Sequence, residues 1–255
     1  MKNQKMQIRA IVLDLDRTLL RTDKTISEYT LSVLRRCAER GIAVMAASAR
    51  PVRTILPFCD QIPFAAIAAG NGARIVHGDV CKNHAIAPES AQRLLTSLCR
   101  DPSLRITLET GDVAYSNVAF EDFETIVTQD LAETAKKEGA LKIIVGFDRE
   151  GVLELVDGCL PDDLYRTVAN AHLIQIMSRA ATKWNGIQEM LAMCGCSPTE
   201  TACFGDDFDD AEAIKMCGIG IAVENAIPQV KKVADCICES NDCDGVAKWL
   251  ERNVL

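Results

Sequence analysis

The stretch AIVLDLDRTLL, Ala10 to Leu20, decides the reading of the fold. Ala10 to Leu13 is a continuous apolar run, the pattern of a strand buried on both faces. The run then ends in two carboxylates, Asp14 and Asp16, followed by Arg17 and Thr18. Ionised carboxylates leave water at a large cost unless something pairs with them, so a cation or a set of donors must meet this charge.

Working outward, the same grammar recurs. A strand is expected from Ile8 to Asp14, then a polar loop, then a helix from about Ser27, its N-cap, to Arg40, stopped by Gly41. IAVMAAS reads as a second strand ending at Ser48, Pro51 suits the first turn of the next helix, and FAAIAAGNGARI supplies a third strand breaking into a turn at Gly70 to Gly72. Strand and helix alternate, the signature of a parallel α/β sheet. From roughly His77 to Ser178 the texture changes. RITLET and DVAYSN flank Gly111 as a hairpin, and LKIIVGFD and HLIQIMS read as further strands between polar helices. The alternation then returns with helix WNGIQEMLAMC, strand TACFGDD, helix DDAEAIKMC, strand GIGIAV, a helix opening near Pro228, strand DCIC and a last helix around GVAKWLE. Residues 1–78 and 180–255 therefore read as one interrupted core, and 79–179 as an inserted α+β domain.

The 255 residues are 48% hydrophobic and 25% charged, ordinary for a soluble globular protein. A net charge of −8 argues against a nucleic-acid surface, which needs clustered Lys and Arg, but admits a small anion received by a metal or local cations. The N-terminus carries no apolar signal segment, and the twelve cysteines fall mostly in helix-like or strand-like runs, so reduced thiols and a cytoplasmic location are expected. The C-x-C pairs Cys194/Cys196 and Cys236/Cys238 lack zinc-site spacing. No apolar run approaches the ~20 residues of a membrane helix.

In open parallel sheets ligands sit beyond the carboxyl ends of the strands. Four such ends are unusually polar: DLDRT at 14–18, SAR at 48–50, GNG at 70–72 and GDDFDD at 205–210. Asp14 and Asp16 are two apart and project to one side. Two like charges that close favour protonating one of them unless a cation is bound, and Mg²⁺ takes one or two carboxylates with waters and substrate phosphate. Asp206 and Asp210 would complete such a site. With the Ser48 hydroxyl and the Lys183 ammonium, the set supplies what phosphoryl transfer needs: a nucleophile, charge neutralisation and donors to phosphate oxygens.

VLDLDRTLL, ASAR, ATKWNGI and GDDFDDAEAIKMCGIGIAVENAIPQVKKVAD, in that order, resemble the four motifs of the haloacid dehalogenase superfamily, in its Cof-type sugar-phosphatase-like branch. The resemblance spans the chain and implies a Rossmann-like parallel-sheet core with an α/β cap inserted between the second and third motifs to set substrate specificity. It implies a Mg²⁺-dependent phosphatase acting on a small phosphorylated metabolite, a sugar phosphate. Asp14 would attack phosphorus and become an aspartyl phosphate, while Asp16 protonates the leaving oxygen and later activates water. Asp14, the Asp16 backbone carbonyl and Asp206 would hold Mg²⁺, and Asp210 would steady the metal's waters or Lys183. Ser48 and Lys183 would bind phosphoryl oxygens, and Asn71 and Asp209 fall at positions facing substrate or phosphate. Expected partners are that metabolite and, where the chain self-associates, a second copy in a homodimer; neither nucleic acid nor a membrane is expected.

Three positions depart from the family pattern. Arg17 stands where relatives often have Gly, Ala49 replaces the Gly of the commoner TGR, and Asp209 replaces the Asn of GDxxND, putting an acceptor-only anion where an amide could donate. A sugar phosphomutase, or a catalytically weak phosphate-binding regulator for which Asp209 is the argument, are the competing functions. Arg50, followed by Pro51, is read as bridging to the inserted domain or reaching substrate, with the structural role ahead. His77, His84 and His172 lack metal-ligand spacing, and Trp184 and Trp249 fit amphipathic helices.

Overall fold

A computed structural model describes residues 8–121, 124–169 and 172–255. The chain begins with strand β1 (Ala10–Leu13), helix α1 (Glu28–Glu39), β2 (Ala43–Ala47), α2 (Val52–Cys59), β3 (Phe64–Ala69), β4 (Arg74–His77) and β5 (Val80–Asn83). It continues through α3 (Pro88–Leu98), β6 (Arg105–Glu109), β7 (Ala114–Ser116), β8 (Ile126–Val127), α4 (Leu131–Glu138), β9 (Lys142–Gly146), α5 (Val152–Cys159), β10 (Leu164–Ala169) and β11 (Leu173–Ser178). It ends with α6 (Lys183–Met193), β12 (Thr201–Gly205), α7 (Ala211–Met216), β13 (Ile219–Val223), α8 (Pro228–Val233), β14 (Cys236–Cys238) and α9 (Gly245–Asn253).

Two compact units result: one from the residues up to Lys82 with Thr182–Leu255, the other Asn83–Ala181. The first holds a sheet in the order β14-β13-β12-β1-β2-β3-β4-β5, parallel from β14 to β3, with β4 antiparallel to β3. The chain winds outward from β1 to β3, then restarts on the other side of β1 with β12. That reversal puts the ends of β1 and β12 side by side at the topological switch point, where open sheets of this kind bind ligands. β1 is buried along its whole length between parallel neighbours, which is why its sequence runs apolar without alternation.

Local signals account for the elements around it. Ser27 caps α1, its side chain accepting from the Thr30 backbone N–H, and Gly41 follows the helix at φ 76. The sheet takes in four residues more than the expected core boundary at residue 78, because the chain turns at Gly78 (φ 55) and β5 joins the edge of the sheet beside β4. The alternation of β5 with β4 is short, and its four residues are exposed, so no apolar period marked it.

The second unit is a six-stranded sheet in the order β10-β11-β9-β6-β7-β8, antiparallel except for the β7/β8 pair. The expected hairpin is β6 and β7, and the expected strands LKIIVGFD and HLIQIMS are β9 and β11. β10 went unread because Leu164–Ala169 alternates too weakly to stand out. Leu94, Leu95 and Leu98 of α3, Leu131 of α4 and Val152 of α5 pack with Ile106, Leu108, Ile143, Val145, Ile174 and Ile176, which alternate along β6, β9 and β11 and so share one face.

None of the twelve cysteines, all within the described residues, is in a disulfide. Trp184 is buried in the first unit's core, and the Trp249 ring meets Phe204 edge-on at 5.4 Å, so both tryptophans serve packing. No helix among the described residues is long and apolar enough to cross a membrane.

Candidate active site

Asp14 follows the last residue of β1, and its backbone N–H still donates to the Phe204 carbonyl of β12, 3.1 Å away. The nucleophile candidate is thus fixed by the sheet itself. Beyond it the chain folds into a tight turn in which the Leu19 and Leu20 N–H groups donate back to Leu15 at 3.1 and 2.8 Å. Two distant asparagines hold this turn. Asn225 donates to the Arg17 carbonyl at 2.6 Å, and Asn241 donates to the Leu20 carbonyl at 3.0 Å. A little further on, the Asp244 carboxylate accepts from Arg21, Ser27 and Thr30, tying the same loop to the start of α9.

Lys183 reaches the site because α6 begins there. Thr182 caps the helix by accepting from the Asn185 N–H, and Lys183 is its first helical residue. The approach is close: Gly72 has φ 85, and a Cβ on it would lie 2.2 Å from the Thr182 carbonyl oxygen. Only glycine fits this turn, so the GNG stretch positions Lys183 as well as making a bend. Gly205, which ends β12, is constrained in another way. A Cβ there would lie 2.4 Å from the Asp210 side chain, and its absence lets Asp210 fold back over the strand end.

The resulting centre is buried and crowded with charge. Lys183 Nζ donates to Asp14 Oδ1 at 2.9 Å and to Asp210 Oδ1 at 2.6 Å, and lysine and carboxylates alike are almost inaccessible. Asp210 Oδ2 accepts from the backbone N–H groups of Asp206 and Asp207. Asp206 Oδ1 accepts from the Thr18 hydroxyl at 3.1 Å. One carboxylate oxygen from each of Asp14, Asp206 and Asp210 lies within 4.8 Å of the others. Burial pushes the Asp14 carboxyl up to about 8; Lys183 opposes this rise, while Asp210 and Asp206 add to it. Burial and the neighbouring Asp210 likewise raise Asp206 to about 6. Burial by itself would lower the Lys183 ammonium, but the two carboxylates outweigh it and hold the lysine well above its ordinary value.

Asp16 stands apart from this cluster. Its carboxylate accepts from Arg50 Nε and Nη2 at 2.6 and 2.8 Å and from Lys24 Nζ at 2.7 Å. Partial burial pushes its carboxyl up, yet the Arg50 and Lys24 hydrogen bonds prevail and bring it down to about 2. Arg50 takes Asp16 as its bidentate partner, a structural pairing, and its guanidinium lies 5.6 Å from the Phe58 ring centroid. Lys24, in a left-handed backbone at φ 68, was not anticipated, because no pattern marks a surface-loop lysine eight residues from its partner.

Ser48 is buried at the end of β2, and its hydroxyl accepts from the Arg50 N–H at 3.2 Å. The Asn71 N–H donates to the Ser48 carbonyl at 2.9 Å, which joins the second and third strand ends. Asn71 Nδ2 donates to Asp209 Oδ2 at 2.8 Å. The acidic residue at 209 therefore meets an amide donor, which is how an anion is accommodated at this position. Seven of the expected residues, Asp14, Ser48, Asn71, Lys183, Asp206, Asp209 and Asp210, are thus linked by the contacts above or by shared strand ends within one unit.

Residues 11–250 match the haloacid dehalogenase-like hydrolase family. The chain is 29% identical over 260 residues to the 5-amino-6-(5-phospho-D-ribitylamino)uracil phosphatase YitU of Bacillus subtilis, covering 94% of this chain and 96% of that protein. Among solved structures, it is similar to TM0651 of Thermotoga maritima, with a TM-score of 0.87, 25% identity and coverage of 96% and 97%. It shares its fold with the haloalkanoate-superfamily phosphatase BT1666 of Bacteroides thetaiotaomicron, with a TM-score of 0.86, 22% identity and coverage of 99% and 97%. With its ordered motifs converging on the switch point of a parallel sheet, the chain belongs to the haloacid dehalogenase-like hydrolases.

Proposed function

We propose that this phosphoric monoester hydrolase acts on a small phosphorylated metabolite, a sugar phosphate, with Mg²⁺ and through an aspartyl phosphate on Asp14. The observation that carries the reading is the placement of Asp14: a buried carboxylate at the switch point, held by Lys183 at 2.9 Å and grouped with Asp206 and Asp210.

The donor set fits a hard divalent cation. Three clustered carboxylates are set against the Lys183 ammonium, which meets Asp14 and Asp210, and the exposed Arg17 guanidinium beside Asp206, leaving an excess of negative charge that burial makes costly, and every available ligand atom is oxygen. Asp14 and Asp206, with the Asp16 backbone carbonyl, would hold the ion. Asp210 has one oxygen on Lys183 and the other on two backbone N–H groups, which suits it to fixing Lys183 and the loop. When bound, Mg²⁺ supplies positive charge that neutralises the carboxylates and the phosphoryl oxygens.

An Asp14 oxygen attacks phosphorus, the ester oxygen leaves, and Asp16 supplies the proton that oxygen needs. In the second half Asp16 takes a proton from water as the water displaces Asp14 from phosphorus. Lys183 orients Asp14 and, with Ser48, donates to the phosphoryl oxygens. The insert, expected at residues 79–179 and bounded in the structure at Asn83 and Ala181, is the proposed specificity cap.

Incubating the purified chain with a panel of phosphorylated sugars, nucleotides and cofactors, with and without Mg²⁺, tests the reading. Release of inorganic phosphate that depends on Mg²⁺ is expected. Isomerisation of a sugar phosphate without phosphate release would indicate a phosphomutase, and binding without turnover a regulator. Asp209→Asn refines the reading. An asparagine can accept from Asn71 through its carbonyl and still present an N–H₂ donor, so kcat/KM is expected to rise by a few-fold, roughly the worth of one added hydrogen bond. An unchanged value at every pH and Mg²⁺ concentration would place Asp209 outside the phosphate shell.

A further inference from the structure

Arg17 is a strained and oddly placed cation. It follows Asp16 directly and has φ 62, the left-handed backbone that costs a side-chain-bearing residue and that glycine adopts freely. The strain is enforced from outside the turn, because Asn225 donates to the Arg17 carbonyl at 2.6 Å and itself accepts from the Asn241 N–H at 3.0 Å. The side chain is 61% exposed, yet its Nε lies 3.8 Å from Asp206 Oδ2, one carboxylate of the cluster. The other Asp206 oxygen is engaged by Thr18. Asp206 Oδ2 therefore lies beside an exposed guanidinium, on a backbone that Asn225 holds, at the edge of the cluster proposed to hold a divalent cation.

We propose that Arg17 is a positioning residue that acts as an electrostatic counterweight to the cation: its guanidinium neutralises Asp206, and a divalent ion binds only against that positive charge. This rests on the reading of Asp14 and Asp206 as cation ligands. The consequence is a site that binds its ion more weakly than the same carboxylates would with an uncharged residue at 17. A fixed unit charge a few ångströms from a doubly charged ion repels it appreciably even through water, and salt screens the repulsion because Arg17 is exposed.

Magnesium binding is measured by titration calorimetry on wild type, Arg17→Gln and Arg17→Lys, without substrate, at low and at high ionic strength. Arg17→Gln keeps a Cβ in the strained conformation while deleting the charge, so a change in affinity is electrostatic and not a relaxation of the loop. It is expected to tighten Mg²⁺ by about 3- to 10-fold at low salt, with the gap shrinking toward none at ~1 M salt. Arg17→Lys is expected to stay near wild type. Equal or weaker Mg²⁺ affinity in Arg17→Gln at low salt would overturn the proposal while leaving the metal site standing. Failure of all three proteins to bind Mg²⁺ or Mn²⁺ would overturn the metal reading, and the counterweight with it.

Discussion

Asp14→Asn is expected to lower kcat by about 10⁵-fold or more, the scale of losing a reacting nucleophile, while leaving the fold intact. An amide nitrogen or carbonyl attacks phosphorus poorly and cannot carry the phosphoryl group as an acyl phosphate. The substitution is nearly isosteric, and it puts a neutral amide in place of a carboxyl that burial pushes up to about 8, in a cluster where Asp14, Asp206 and Asp210 crowd together. Lys183 keeps its 2.6 Å partner Asp210, so no buried ammonium is stranded. The melting temperature of the variant should therefore stay close to that of wild type, and circular dichroism should be unchanged. Rapid quenching of wild type with a phosphorylated substrate, followed by peptide mass spectrometry, should place the phosphoryl group on Asp14, and no adduct should form in the variant. A phosphoryl adduct on any other side chain, or turnover by Asp14→Asn within tenfold of wild type, would remove Asp14 from the nucleophile's role.

The sequence made Asp14 legible because a buried parallel strand has few reasons to end in a carboxylate. The same logic exposed Ser48, the GNG turn and Asp206, since each terminates an apolar run and the strand order then brings those ends together. Lys183 was readable only through the motif around it, as an isolated lysine at a helix start carries no signal of burial. The pairing of Asp16 with Arg50 and Lys24 was not legible at all. Those side chains meet through loop conformation, with Lys24 and Arg17 both in left-handed backbone that no propensity assigns to a basic residue. The supports from Asn225, Asn241 and Asp244 were equally hidden: each acts across roughly two hundred residues of chain, and an asparagine bonding a loop carbonyl looks like any turn residue.

Two strands escape the sequence pattern for a related reason. β5 and β10 are held in their sheets by backbone pairing to a neighbour more than by an apolar face, so the period that reveals β1 or β9 is absent from them. Pairing partners depend on topology, which local pattern does not contain.

Asp16→Asn is expected to cost about 10²- to 10⁴-fold in kcat on an alkyl phosphate, the usual worth of a positioned general acid and base. The loss should depend on the leaving group. An alkoxide needs a proton as it departs, whereas the anion released from an activated aryl phosphate does not, so on the aryl ester the first half-reaction should proceed at nearly the wild-type rate. Hydrolysis of the aspartyl phosphate still needs a base to take the proton of water, and that step should remain slow. The variant is therefore expected to give a burst of aryl alcohol close to one equivalent per enzyme, followed by a slow steady state with the phosphoryl group held on Asp14. The clamp on Asp16 sharpens this expectation. With Arg50 at 2.6 and 2.8 Å and Lys24 at 2.7 Å, Asp16 is ionised in the arrangement described, the form that accepts a proton and not the form that donates one. For Asp16 to act as an acid these contacts must loosen as substrate binds, and the leaving-group dependence measures that change directly. Equal losses on alkyl and aryl esters, with no burst on either, would mean that Asp16 only maintains the loop through Arg50 and Lys24 and that the proton comes from elsewhere.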